Sequence, residues 1–198
     1  MVEFLWIVAV SYLVGSVPNG LLLGKTFWHT DLRQLGSCNI GATNAFRVLG
    51  PWPAFWVFLT DAAKGVFGVW LASQMAAPSL WLVAAGIAAI AGHNWSVFLG
   101  FKGGRGVATG LGVIAFLVPK VTLIVFAVWA LIVWLTRYVS LASIVAAALV
   151  PVCMWFLGEE PAVLAFGVLA AVFVIVRHRT NIQRLLKGEE SKIRSGKR

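Results

Sequence analysis

Gly92-His-Asn-Trp-Ser-Val-Phe-Leu-Gly-Phe-Lys-Gly-Gly-Arg-Gly-Val-Ala-Thr109 is the stretch on which the reading of this chain turns. An apolar run ends there, Lys102 and Arg105 follow among glycines, and the chain becomes apolar again. Glycine lets backbone approach a ligand closely, and a helix start offers unpaired N–H groups at the positive end of its macrodipole. Lys102-Gly103-Gly104-Arg105-Gly106 leading into a Val/Ala/Leu helix is, in physical terms, a phosphate cradle. It lacks the Gly-x-x-x-x-Gly-Lys-Ser/Thr spacing of a P-loop and no strand precedes it, so nucleotide hydrolysis does not follow. Positive charge at the inner face of a membrane explains Lys102 and Arg105 but leaves the glycines unexplained.

Outward from that stretch the chain is overwhelmingly apolar. Of 198 residues 60% are hydrophobic and only 12% charged, and the mean hydropathy of +0.90 lies outside the range of soluble domains. The composition predicts an all-α, polytopic membrane bundle. A span takes roughly 20 apolar residues, so residues 1–198 read as a single transmembrane domain with short loops and no separate soluble part. The opening segment lacks a basic leader and a small-residue cleavage site, and reads as a retained span. The net charge of +9 serves topology, with the tail Lys187 to Arg198 also attracting anionic lipid. No nucleic-acid motif accompanies it, and the ten Trp read as interface anchors rather than a stacking platform. Cys38 lies in a polar loop and Cys153 in an apolar run, so no disulfide is expected; neither has ligand-spaced partners, so no metal is expected.

Apolar runs and breaks predict seven transmembrane helices: Phe4 to Gly24, Pro53 to Ser73, Leu80 to Gly100, Val107 to Leu117, Val121 to Thr136, Leu141 to Leu157 and Pro161 to Val176. Val107 to Thr136 could instead be one long helix, kinked by Pro119 with Lys120 in the hydrocarbon. Charge favours two. Only then do Lys25/Arg33/Arg47, Lys102/Arg105, Arg137 and the basic residues from Arg177 onward share one side. The N-terminus is then outside and the C-terminus cytoplasmic. The fourth span is expected to be truncated or partly embedded, because it is short for a bilayer core of roughly 30 Å.

Four further polar stretches reach that same face. Gly15-Ser-Val-Pro-Asn-Gly20 interrupts the first span, which marks either close helix packing or the start of a cavity. The loop from Asp31 to Gly50 is dense in short polar groups: Ser37, Asn39, Thr43 and Asn44 offer hydroxyls and amides, while Gly36 and Gly41 allow close backbone approach. Arg47 follows Thr43 by four residues, so a helical turn would put guanidinium and hydroxyl on one face, as a phosphate requires. Ser140 and Ser143 follow Arg137, and Ser143 reads either as an inward donor or as a small residue bonded within its own helix. His178 and Asn181 are three apart on one helical face beside cations. Asp61 and Lys64, also three apart, neutralise each other near the same face. Convergence of so many cations and neutral donors beside lipid predicts a substrate with more than one phosphate and an acyl chain.

Gly-Ser-Val-Pro-Asn-Gly, Gly-Ser-Cys-Asn-Ile-Gly-Ala-Thr-Asn-Ala-Phe-Arg-Val-Leu-Gly and the opening stretch resemble the blocks of the bacterial PlsY family, along essentially the whole chain. The resemblance implies a seven-span inner-membrane enzyme, with its active site on the cytoplasmic side and expected to be a monomer. Such an enzyme moves an acyl group from acyl phosphate to the 1-hydroxyl of glycerol 3-phosphate, giving lysophosphatidic acid and phosphate. No cofactor, metal, acyl-CoA or acyl carrier protein is expected to serve. By the same resemblance Ser37 and Arg47 bind glycerol 3-phosphate, and Lys102 and Arg105 neutralise phosphate at the Gly103-Gly104 turn. Thr43, Ser143, His178 and Asn181 surround the acyl phosphate and its carbonyl. The chain departs from the pattern in Cys38, where Gly is common, which puts the backbone role of that position in question, and in Arg105, where Lys is also found.

The His-x-x-x-x-Asp pair of other glycerolipid acyltransferases is missing, since Gln34, Phe98 and Gln183 stand five residues beyond His29, His93 and His178. Acyl phosphate is already activated, so positioning and charge stabilisation suffice. The expected step is direct attack by the glycerol hydroxyl, its proton passing to the substrate's own phosphate, while His178 and Asn181 orient or polarise the acyl carbonyl. His178 as general base is the competing reading. A small transporter for a phosphorylated solute is the alternative function, disfavoured because no internal repeat is visible and the polar groups gather at one face. A purely structural bundle would leave the Gly-rich donors unused.

Overall fold

The computed structural model describes residues 1–75 and 77–193, and all regular structure in them is helical. The chain divides into two compact units, one over Met1–Phe116 and one beginning at Leu117. The end of the basic tail beyond residue 193 lies outside the described residues.

In the first unit α1 (Val2–Ser16) and α2 (Asn19–Trp28) are separated by Val17-Pro18, where proline removes an N–H and ends the helical ladder. A short helix α3 (Ala42–Leu49) follows the polar loop, and Gly50 turns the chain with a φ of 96° into α4 (Pro51–Gln74). Prolines in the first turn of α4 suit a position where backbone N–H groups have no partner. Next come α5 (Ser79–Asn94), a single 3-10 turn (Val97–Leu99) and α6 (Val107–Leu117). Small residues let these helices touch. A Cβ on Gly15 would overlap the Ala89 carbonyl, and one on Gly92 would overlap that of Tyr12, which fixes the close α1–α5 approach. Gly65 meets the Thr109 carbonyl and Gly112 that of Ala62, joining α4 to α6 in the same way. Ile7, Ala72 and Ala85 form one buried cluster, and Leu32, Ala45, Ala54 and Val57 form another beneath the loop.

The second unit holds α7 (Pro119–Thr136), α8 (Val139–Phe156), α9 (Pro161–Arg177) and α10 (Arg179–Leu186). Two residues join α7 to α8, and Arg137 takes a φ of 61° there. So short a link makes the helices antiparallel neighbours. Gly158, with a φ of 70°, begins the return into α9. The axis bends by 58° between α9 and α10. Large apolar side chains face outward, Leu123 at 72%, Trp134 at 76% and Phe156 at 81% exposed, as expected where lipid is the solvent.

Among the described residues five segments are long and apolar enough to cross a membrane, with a sixth if α9 and the bent α10 count together. The helix α6, with 11 residues, is the short one that the sequence anticipated, about 16 Å at 1.5 Å per residue. Pro119 opens α7 rather than kinking one long helix. His178 is not inside a helix with Asn181, as the spacing suggested. It sits at the bend, with φ −96° and ψ 8°, and Asn181 lies within α10.

Candidate active site

The polar loop of the first unit is tied by one side chain. Asn44, 1% exposed at the start of α3, donates Nδ2 to the carbonyls of Leu32 (2.9 Å), Leu35 (3.0 Å) and Asn39 (2.8 Å). Its Oδ1 accepts from the Ser37 backbone N–H at 2.8 Å and from the Ser37 hydroxyl at 3.1 Å. Gly36, with φ +61°, has no room for a Cβ beside Asn44 Oδ1. Asn39 Oδ1 accepts from the Gly41 N–H at 2.8 Å. Asn39, Gly41 and Asn44 therefore spend their polar groups on loop shape. Ser37 remains exposed and Thr43 and Arg47 half-buried, the latter two one turn apart on α3 as their spacing predicted. Cys38 takes a φ of 56°, a left-handed conformation that favours glycine. Its sulfur is exposed and unbridged.

Not every cation of the loop faces outward for an anion. Arg33 grips both oxygens of Asp31 (Nε to Oδ1 3.0 Å, a terminal nitrogen to Oδ2 2.7 Å), and Lys25 lies 3.3 Å away. The Arg33 hydrogen bonds hold the Asp31 carboxyl far below the usual carboxylate range, against a smaller upward push from burial.

The Gly-rich turn corrects one expectation. The N–H of Gly103 donates to Asn94 O at 3.1 Å and that of Gly104 to His93 O at 2.9 Å, so these N–H groups are committed to the end of α5. The glycines are needed for closeness instead. A Cβ on Gly103 would overlap the His93 carbonyl, and one on Gly104 the His93 ring. Lys102 is exposed and Arg105 half-buried on either side of this seated turn. Beneath it runs a buried polar cluster in which Asp61 pairs with Lys64 at 2.9 Å and stands 3.7 Å from His93 Nδ1. Asn19 donates to Asp61 at 3.4 Å, and Lys64 donates to the Val17 carbonyl at 2.9 Å at the proline break. The interruption at Ser16 to Gly20 thus closes onto α4. The Asn94 side chain, fully buried beside Gly106, has no hydrogen-bond partner on either amide atom.

In the second unit the predicted residues meet a side chain that sequence reading missed. Glu190, 2% exposed at its side chain, accepts on Oε1 from Ser140 Oγ at 2.8 Å and Asn181 Nδ2 at 2.7 Å. Its Oε2 accepts from Arg184 Nε at 2.7 Å. The His178 ring places Nδ1 2.7 Å from the Val174 carbonyl. A carbonyl only accepts, so Nδ1 carries a proton. Ser143, one turn beyond Ser140, accepts from Trp129 Nε1 at 3.2 Å. The stretch after α10 is held down by Ile193 N–H to Arg137 O at 2.8 Å and by Lys192 over the Tyr138 ring. Among the described residues no three His, Cys, Asp or Glu side chains are grouped as a metal site.

Known proteins resemble this chain over nearly its whole length. A family model described as Glycerol-3-phosphate acyltransferase matches residues 5–188. The glycerol-3-phosphate acyltransferase of Fusobacterium nucleatum is 44% identical over 191 residues, which are 96% of this chain and 98% of that protein. A crystal structure of PlsY, an integral membrane glycerol 3-phosphate acyltransferase, in its glycerol 3-phosphate form aligns with a TM-score of 0.91 at 40% identity. Its lysophosphatidic acid form aligns at 0.89 and 39%, each covering 96% of this chain and 94% of the other. An all-helical, multi-pass membrane protein with such likeness over nearly its full length belongs to the glycerol-3-phosphate acyltransferase family and is an acyltransferase.

Proposed function

We propose that the protein transfers a fatty acyl group from acyl phosphate to the 1-hydroxyl of glycerol 3-phosphate, yielding lysophosphatidic acid and inorganic phosphate. One observation carries this reading: the first unit presents two phosphate-grade donor sets, Ser37, Thr43 and Arg47 on the knotted loop and Lys102 and Arg105 flanking the seated turn. The PlsY structures in glycerol 3-phosphate and lysophosphatidic acid forms support it. The hydroxyl oxygen attacks the acyl carbon, the bond from that carbon to the phosphate oxygen breaks, and the hydroxyl proton leaves on the released phosphate. Ser37 and Arg47 bind glycerol 3-phosphate on a loop shaped by Asn39, Gly41 and Asn44. Lys102 and Arg105 neutralise phosphate, with Gly103 and Gly104 fixing the turn between them. Thr43, Ser143, His178 and Asn181 orient the acyl phosphate and the reacting groups. His178, its ring held at Nδ1 by the Val174 carbonyl, serves orientation, the proton going to phosphate.

Residues 1–198 act as one acyltransferase domain and as a monomer, in the inner membrane of a bacterium. Seven crossings, with α6 as the truncated one, put the N-terminus outside and the site on the cytoplasmic side; the positive-inside distribution of Lys25, Arg47, Lys102, Arg105 and Arg137 supports that orientation. Incubation of the purified protein with palmitoyl phosphate and glycerol 3-phosphate is expected to give 1-palmitoyl lysophosphatidic acid by mass spectrometry, and palmitoyl-CoA in place of the phosphate none. Product formed from palmitoyl-CoA would assign a different donor.

A further inference from the structure

Within the second unit three side chains converge on one buried carboxylate that no part of the proposed reaction yet uses. Glu190 takes hydrogen bonds from Ser140, Asn181 and Arg184, each within 2.8 Å. An Asn amide has two ends of opposite character, one donating and one accepting. Facing a carboxylate it turns its NH₂ inward, so the orientation of Asn181 is chemically fixed by Glu190. Its other end, Oδ1, is buried and without a hydrogen-bond partner. A buried acceptor left open costs free energy unless something arrives to fill it. The neighbouring His178 is likewise held in orientation, by Nδ1 on the Val174 carbonyl.

We infer that Glu190 is a positioning residue that holds Asn181 so that Oδ1 receives the hydroxyl of the attacking alcohol. This rests on the acyl-transfer reading above and sharpens it. Polarising the acyl carbonyl needs donors, and the donor end of Asn181 is turned away toward Glu190. The alcohol O–H donates to Oδ1, which aims an oxygen lone pair at the acyl carbon, and the proton then leaves on the phosphate released. Two features keep Glu190 in place. Arg184 neutralises its second oxygen, and the following backbone is pinned by Ile193 N–H on Arg137 O. Burial pushes the Glu190 carboxyl up, but the bonds from Arg184, Asn181 and Ser140 outweigh it and leave its pKa below the ordinary value. The acid is therefore ionised near neutral pH, with both oxygens able to accept.

An exchange of acid and amide tests this. Wild type, Glu190→Gln, Asn181→Asp and the double exchange are assayed in detergent for phosphate release from palmitoyl phosphate against glycerol 3-phosphate concentration. Each single change is expected to lower kcat by about tenfold or more with KM for glycerol 3-phosphate within about threefold, the mark of an interaction used in the transition state. Asn181→Asp alone sets two carboxylates face to face. The double exchange restores an acid–amide pair and still offers an oxygen acceptor, so its kcat is expected to exceed that of both single variants. A kcat no higher than the better single variant overturns the inference, because a site that needed a donor from Asn181 gains nothing from the exchange. If a single variant fails to fold, the double exchange is judged against the other. Wild type without acceptor-dependent release would instead overturn the acyl-transfer reading, and the inference with it.

Discussion

Arg47 stands one helical turn from Thr43 on α3, on a loop that Asn44 ties down by five hydrogen bonds. If it binds the acceptor's phosphate, Arg47→Ala removes a charge-assisted bond worth about 1.5–3 kcal/mol. KM for glycerol 3-phosphate is then expected to rise by about tenfold to a hundredfold, with the KM for palmitoyl phosphate little changed, in steady-state kinetics. An equal rise in both would place Arg47 elsewhere. Asp61 and Lys64 are both nearly fully buried, so breaking the pair leaves a charge with no water to solvate it. Asp61→Ala is expected to destabilise the first unit by about 3–5 kcal/mol, and Asp61→Asn with Lys64→Met by clearly less, in thermal melts in detergent. At this scale legibility depended on how local the contact is. The Thr43–Arg47 spacing and the Asp61–Lys64 pair were visible because one helical turn joins them. Asn44 read as a ligand donor because an Asn looks the same whether it binds substrate or ties a loop. Glu190 was invisible: it sits in a cationic tail, and its partner Ser140 is fifty residues away.

Among elements, boundaries lay where sequence carries a physical stop. Pro18 separates α1 from α2, Pro119 opens α7, and α6 has the limits read from its apolar run. The bend between α9 and α10 had no such signal, since no proline or glycine marks His178. The segment after α10 is more than a basic anchor, because Glu190 secures α10 to α8 through Asn181 and Ser140. Its pKa lies below the ordinary 4.5, so its contribution to stability is complete above that value and is lost as pH falls through the lower folded-state pKa. The gap in melting temperature between wild type and Glu190→Gln is expected to be widest near neutral pH and to shrink as pH is lowered below 4.5. A gap that widened on acidification would contradict an ionised Glu190.

For the whole molecule, composition was enough to read an all-helical membrane protein, because backbone groups in lipid must be satisfied within each helix. The number of crossings was harder to read, since a helix of 11 residues carries too little apolar length to declare itself. Orientation can be tested with what the chain already has. Cys38 is exposed in the loop, and Cys153 lies within α8. With Cys153→Ala, a membrane-impermeant maleimide is expected to label Cys38 only after spheroplasts are lysed. Labelling of intact spheroplasts would reverse the topology. The most direct test of the account is phosphate release from palmitoyl phosphate by the purified protein, measured with and without glycerol 3-phosphate. Release that depends on the acceptor, one phosphate for each lysophosphatidic acid formed, is predicted; equal release without the acceptor, or none in a folded, lipid-supplemented sample, would contradict it.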